Sequence, residues 1–217
     1  MCIRDSNNAY RISDETLHFN GESTLISLQN GGGKSVLVQM LTAPFVHPRY
    51  RNTKDRLFES YFTTNKPSFI LVEWALDQGA GYVLTGLMVR KSQDMEEDRK
   101  ENLDIIGIVS EYQNPCIQDI HHLPVVEKGK KEMILKNFNS CRQLFETYKK
   151  DRDMKFFYYD LTNYAQSRQY FDKLMEYQIN YKEWETIIKK INLKESGLSD
   201  LFADCRDEKG LTEKWFL

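Results

Sequence analysis

Six residues constrain this chain more than any others: Asn30-Gly31-Gly32-Gly33-Lys34-Ser35. Consecutive glycines strip every Cβ from a stretch of backbone, so its amides can approach a ligand that a side chain would hold off. A cation and a metal-capable hydroxyl follow at once in Lys34 and Ser35. Ahead of the glycines, Thr24-Leu25-Ile26-Ser27-Leu28 is a short β-rich run; behind them, Ser35 to Ala43 has helical apolar spacing and stops before Pro44, with a second proline at Pro48. Strand, glycine loop, Lys-Ser and helix together predict a cradle for a phosphate chain, with the positive end of the helix dipole aimed into it. The residues predicted to line it are Asn30, Gly31, Gly32, Gly33, Lys34, Ser35 and Val36. Lys34 would neutralise the outer phosphates and Ser35 would hold Mg²⁺. Leu28 stands where the usual G-x-x-x-x-G-K-[ST] spacing has its first glycine, which predicts a reshaped loop start and a weaker grip.

The remaining pattern is sheet-rich first and helical later. Leu17-His18-Phe19 alternates and Asn20-Gly21-Glu22-Ser23 is turn chemistry, so a strand, a turn and the Thr24–Leu28 strand are expected in that order. Ser68 to Leu76 is the strongest strand, Asp77-Gln78-Gly79-Ala80-Gly81 supplies a turn, and Tyr82 to Val89 returns as its partner. Ile105 to Ser110 and Phe156 to Tyr159 are further strands, separated by a proline-broken connector. From Ala165 onward Tyr170, Leu174 and Tyr177, then Trp184, Ile187, Ile188 and Ile191, recur at helical spacing. The expected fold class is α/β, a mixed sheet with a β-hairpin and a helical C-terminal part. Residues 1–6 are unpatterned and are expected to be a leader, native or an artefact of sequencing or gene assignment, that packs nothing. Residues 7–160 form the phosphate-binding lobe and residues 161–217 a helical lobe. The chain stops at Trp215-Phe216-Leu217 inside an apolar, helix-compatible run, and the expectation is truncation.

Charge and cysteine usage exclude some functions. With 30 basic and 32 acidic residues the net charge is −2, so any contact with a polyanion must be a local patch. Cys2, Cys116, Cys141 and Cys205 form no C-x-x-C pair and are expected to be free thiols rather than zinc ligands or a disulfide framework. No apolar run long enough to span a bilayer and no secretory pattern appears, so no membrane partner is expected and the cytoplasm is the default compartment.

Asn30-Gly31-Gly32-Gly33-Lys34-Ser35 resembles the N-G-x-G-K-[ST] form of the P-loop found in SMC and related ABC-type ATPase heads. Arg51-Asn52-Thr53 is similar to a stretch after the P-loop helix in MukB-type proteins. Tyr181 to Leu217, with Trp184, Glu195-Ser196-Gly197-Leu198-Ser199 and Trp215-Phe216-Leu217, is similar to the helical segment that leads into their coiled coil. The resemblance covers most of the chain from about Tyr10 and implies a P-loop NTPase fold, the N-terminal lobe of a split head. It implies ATP and Mg²⁺ as cofactors, with partners in the C-terminal half of the same head, a second head as a homodimer, DNA, and a kleisin-like subunit. Chromosome segregation or defence is the implied setting. No Leu-Ser-Gly-Gly signature run is present, so the piece alone is expected to hydrolyse ATP poorly or not at all. A loop residue reaching Mg²⁺ before a glycine is implied at Glu195, where the family often has glutamine, and Tyr10 and Arg11 are implied at the adenine.

Other residues carry competing readings. Phe156-Phe157-Tyr158-Tyr159-Asp160 could end a metal-orienting strand, which would make the chain a self-contained P-loop NTPase or kinase, or Asp160 could merely close a turn. A nucleotide-independent interaction module with a decayed loop at Leu28 is the third reading. Arg49, Arg51, Lys54 and Arg56 could touch phosphate or DNA, or form a solvated loop; Gln93 to Asn102 reads as solvated; His121-His122 reads as loop rather than metal site.

Overall fold

In a computed structural model the chain is described at residues 2–5, 14–19, 21–27, 33–53, 56–93, 101–129 and 133–191, with only the backbone at 2–5, 14, 190 and 191. It is a mixed α/β protein built on one antiparallel sheet. The strands are β1 Cys2–Asp5, β2 Asp14–Thr16, β3 Ser68–Ala75, β4 Tyr82–Lys91 and β5 Leu103–Tyr112, with the short pair β6 Val126–Lys128 and β7 Met133–Leu135, and then β8 Lys155–Asp160. The helices are α1 Lys34–Thr42, α2 Pro48–Arg51, α3 Phe138–Lys150, α4 Tyr164–Glu176 and α5 Tyr181–Ile191. The main sheet runs β2-β1-β3-β4-β5-β8, and β6 and β7 pair separately.

The expected hairpin is present as β3 and β4, paired from Ser68 with Val89 to Ala75 with Tyr82. Its turn works because Gln78 and Gly79 take left-handed backbone and Gly81, at φ 107°, lets the chain pass within van der Waals range of the β5 end; a Cβ at Gly81 would lie 2.4 Å from the Tyr112 carbonyl. Side chains alternate between the two faces. Ile70, Val72, Val83, Leu87, Val89, Ile105 and Val109 meet α1, α4 and α5 on one side. Phe69, Leu71, Leu84, Met88, Ile106 and Ile108 meet α3 on the other. The sheet is therefore the middle layer of three.

Four expectations need correction. Cys2–Asp5, expected to pack nothing, lies inside the sheet with β2 on one side and β3 on the other. Leu17-His18-Phe19 is not the strand; pairing stops at Thr16, and Leu17 and Phe19 instead pack on the core by their side chains. Thr24 to Ser27 form no strand, and Leu25 is 94% exposed, because a β-prone run becomes a strand only where a ladder partner meets it. The connector between β5 and β8 holds α3, a helix the proline signals hid. Helical structure after β8 agrees with expectation and begins at Tyr164. Gly197, Gly210 and the terminal Trp215-Phe216-Leu217 lie outside the described residues.

Candidate functional site

The structure describes the second half of the glycine motif. Gly33 is the N-cap of α1, with left-handed φ 83° and ψ 17°, a conformation that disfavours any residue with a Cβ. Its carbonyl accepts the first helical hydrogen bond, from the Leu37 amide at 2.9 Å. No side chain caps this end and no acidic residue stands in the first turn. The leading amides of a helix have no acceptor within it, so the start of α1 carries donor groups and the positive end of the dipole. Lys34 and Ser35 are exposed at that mouth, while the Val36 side chain is buried. Asn30, Gly31 and Gly32 lie outside the described residues, as do Tyr10, Arg11, Lys54 and Glu195.

Behind the mouth, α1 is held hard. Val36 and Met40 enter the core, and the turn Ala43-Pro44-Phe45 that ends the helix is fully buried at Ala43 and Phe45. Phe45 packs between Trp74 of β3 and Trp184 of α5, with ring centroids at 5.3 and 5.4 Å. Gln39 is buried in mid-helix, and its amide groups bridge two neighbours: Nε2 donates to the Arg51 carbonyl at 2.5 Å and Oε1 accepts from the Tyr61 hydroxyl at 2.6 Å. The Tyr170 hydroxyl of α4 donates to the Pro44 carbonyl at 3.1 Å. A helix anchored in the core with Lys34 and Ser35 exposed at its start is an arrangement able to bind an anion.

Arg51 departs from both sequence readings. It is 1% exposed, so it serves neither as a surface cation for DNA nor as part of a solvated loop. Its Nε donates to the Ala43 carbonyl at 3.1 Å, and its Nη1 lies 3.9 Å from Glu101 Oε2. Burial pulls the Arg51 guanidinium below its usual range and pushes the Glu101 carboxyl above its own. The stretch Gln93 to Asn102 is thus not wholly solvated: the Glu101 side chain turns inward and the Asn102 amide bonds Glu59 Oε2 at 3.1 Å. Arg49, by contrast, lies over the Tyr50 ring at 4.7 Å on the outside, and Arg56 is exposed.

Asp160 ends β8 as foreseen, and its carboxylate is engaged locally. Oδ1 accepts from the Thr162 amide at 3.0 Å and the Thr162 hydroxyl at 2.6 Å, an Asx-type turn, and the Asp160 amide donates to Gln166 at 2.9 Å. His121 and His122 sit in a loop organised by Asp119, whose carboxylate accepts from the amides of Cys116, His121 and His122 at 3.0, 2.9 and 2.7 Å and lies 2.7 Å from His122 Nδ1. No group of three potential metal ligands occurs among the described residues. Cys116 and Cys141 are free thiols, and burial pushes Cys141 up to about 12. No described helix is long and apolar enough to cross a membrane.

No family model, no curated protein and no solved structure matches the chain.

Proposed function

We propose that this chain binds ATP·Mg²⁺ through the mouth of α1 and serves as the N-terminal lobe of an SMC-like, MukB-type ATPase head. The observation that carries the reading is the left-handed, uncapped Gly33 placed directly ahead of an exposed Lys34-Ser35 pair. An exposed cation and hydroxyl at the positive end of a helix, with no acid in its first turn, suit an anionic ligand of several charges. Lys34 would neutralise the β/γ-phosphates, Ser35 would hold Mg²⁺, and backbone amides at the start of the helix would supply hydrogen bonds to phosphate oxygens.

The reading assigns hydrolysis to residues beyond this lobe. Every strand pair among the described residues is antiparallel. The apolar run at Leu25 and Ile26, just before the glycines, is exposed. Both features suit a lobe whose P-loop strand pairs with strands from the other half of the head, which would also bring the metal aspartate and the signature. The engagement of Asp160 in its own turn favours this over a self-contained enzyme. In the full-length protein two such heads would sandwich nucleotide and act on DNA, with a kleisin-like subunit as the bridging partner and the cytoplasm as the setting.

Titration with a fluorescent ATP analogue tests the proposal. The parent should bind in a Mg²⁺-dependent way, Lys34→Ala should weaken binding by at least about tenfold, a loss of roughly 1.4 kcal/mol, and Ser35→Ala should remove most of the Mg²⁺ dependence. Equal affinity in parent and Lys34→Ala would sink it, as would ATP turnover by the isolated chain that disappears on Asp160→Ala.

A further inference from the structure

We infer that Arg51 is a positioning residue for the nucleotide, fixing the far end of α1 and through it the direction in which Lys34 and Ser35 face. The inference rests on the proposed ATP-binding role of that mouth. α1 is nine residues long, about 13 Å at the usual rise, so it behaves as a short lever. Its own last turn holds no basic residue. The cation that suits the negative end of its dipole comes instead from Arg51, whose Nε bonds the Ala43 carbonyl at the C-cap.

The same residue holds the lever at a second point, because its backbone carbonyl accepts from Gln39 Nε2, while the Tyr61 hydroxyl donates to Gln39 Oε1 and fixes the side chain from its other end. Tyr170 holds the next carbonyl on, that of Pro44. With both the middle and the C-terminal end of the helix fastened, the remaining freedom at Gly33 is small. A donor displaced by an ångström leaves hydrogen-bonding range of its acceptor, so small tilts of this lever matter.

Stability alone does not account for the arrangement. Arg51 Nη1 and Nη2 and Glu101 Oε1 are buried and make no hydrogen bond to a described residue, and the closest approach of the two charges is 3.9 Å. A buried pair in such geometry recovers little of its desolvation cost and is commonly matched or bettered by apolar residues of similar size. What apolar residues cannot supply is the directed bond from Nε to the helix end. Arg51 therefore contributes orientation, and Glu101, two residues ahead of β5, offsets its charge.

The experiment compares the whole chain with Arg51→Lys and with the double variant Arg51→Met, Glu101→Met, reading both the urea midpoint and the affinity for a fluorescent ATP analogue, with Lys34→Ala as reference. The expected result is that the double variant unfolds at the parent's midpoint or above it while its ATP affinity falls about tenfold, and that Arg51→Lys also binds more weakly. The double variant keeps the test decisive even where a single change leaves one buried charge alone and the chain fails to fold. Parent-like affinity in the double variant overturns the inference, and so does an affinity loss that merely tracks a lowered midpoint. If the parent itself shows no Lys34-dependent binding, the ATP-binding reading fails and this one with it; if the parent binds and only the double variant is unaffected, this inference alone fails.

Discussion

The two faces of the sheet differ in how their helix ends and charged groups are finished, although buried polar groups such as Gln39 and Tyr170 are bonded on the α1 face too. On the α3 face they are paired: Asp119 gathers three amides and His122, Glu73 accepts from the Tyr112 hydroxyl and the Ile120 amide, and Ser110 bonds Gln118. The helix on that face is finished at both ends, with the Asn137 side chain accepting from the Ser140 amide and Lys149 and Lys150 in the last turn. On the α1 face the helix has no side-chain cap, no acid at its start and no base of its own at its end, and beside it lies the Arg51 and Glu101 pair with unfilled hydrogen-bonding capacity. The α3 side closes its polar groups within the fold, and the α1 side keeps a costly buried charge pair beside a helix without a side-chain cap, a departure from local consistency that the proposed ligand site would account for.

The sharpest way to break this comparison is to damage the α3 face and watch the α1 mouth. Phe145 is fully buried, with its ring 5.4 Å from that of Phe156. Phe145→Ala should cost about 3–5 kcal/mol in urea unfolding, yet leave the ATP affinity of the fraction still folded unchanged. A loss of affinity in the folded population would show that the faces are coupled and the division is wrong.

The acid limb of stability gives a second, smaller separation. Burial alone would raise Asp119, but the hydrogen bonds from His122 and from the amides of His122, His121 and Cys116 outweigh it and hold the carboxyl below the usual aspartate range. A carboxyl depressed in the folded state contributes stability that is present above its unfolded value, near 4, and that disappears as pH falls through the folded value. Asp119→Asn should therefore be less stable than the parent at neutral pH by about 1–3 kcal/mol, with the gap closing below about pH 4. A gap that stays constant down to the acid transition would mean the carboxylate's charge is not what organises the loop.

How much of this was legible beforehand follows the same division. The β3 and β4 hairpin announced itself through two apolar runs and a glycine-rich turn, signals that are local and need no partner. The helical spacing after Lys34 was equally local. α3 also carries a local signal, Asn137 followed by Phe138, Cys141, Phe145 and Tyr148 on one side of a helix, but Pro115 and Pro124 before it are equally compatible with an irregular connector. The burial of Arg51 was not legible, since a charge is taken inside only by contacts with Ala43, Glu101 and Phe58 that arise from packing rather than from its neighbours in sequence. The same holds for Thr24 to Ser27, where composition favours a strand and no described strand pairs with it.

The smallest effect discriminates best between the two helices. Asn137→Ala removes one side-chain acceptor from the start of α3, and the Ser140 amide then turns to water; the expected cost is about 1 kcal/mol. No comparable side-chain cap exists at Gly33 to remove. If the α1 mouth is completed by ligand as the α3 mouth is by Asn137, then saturating ATP·Mg²⁺ should raise the urea midpoint of parent and Asn137→Ala by the same increment, because binding adds to stability independently of a distant cap. Unequal increments would place the nucleotide's effect on the α3 side of the sheet and remove the basis for treating the two faces as different in kind.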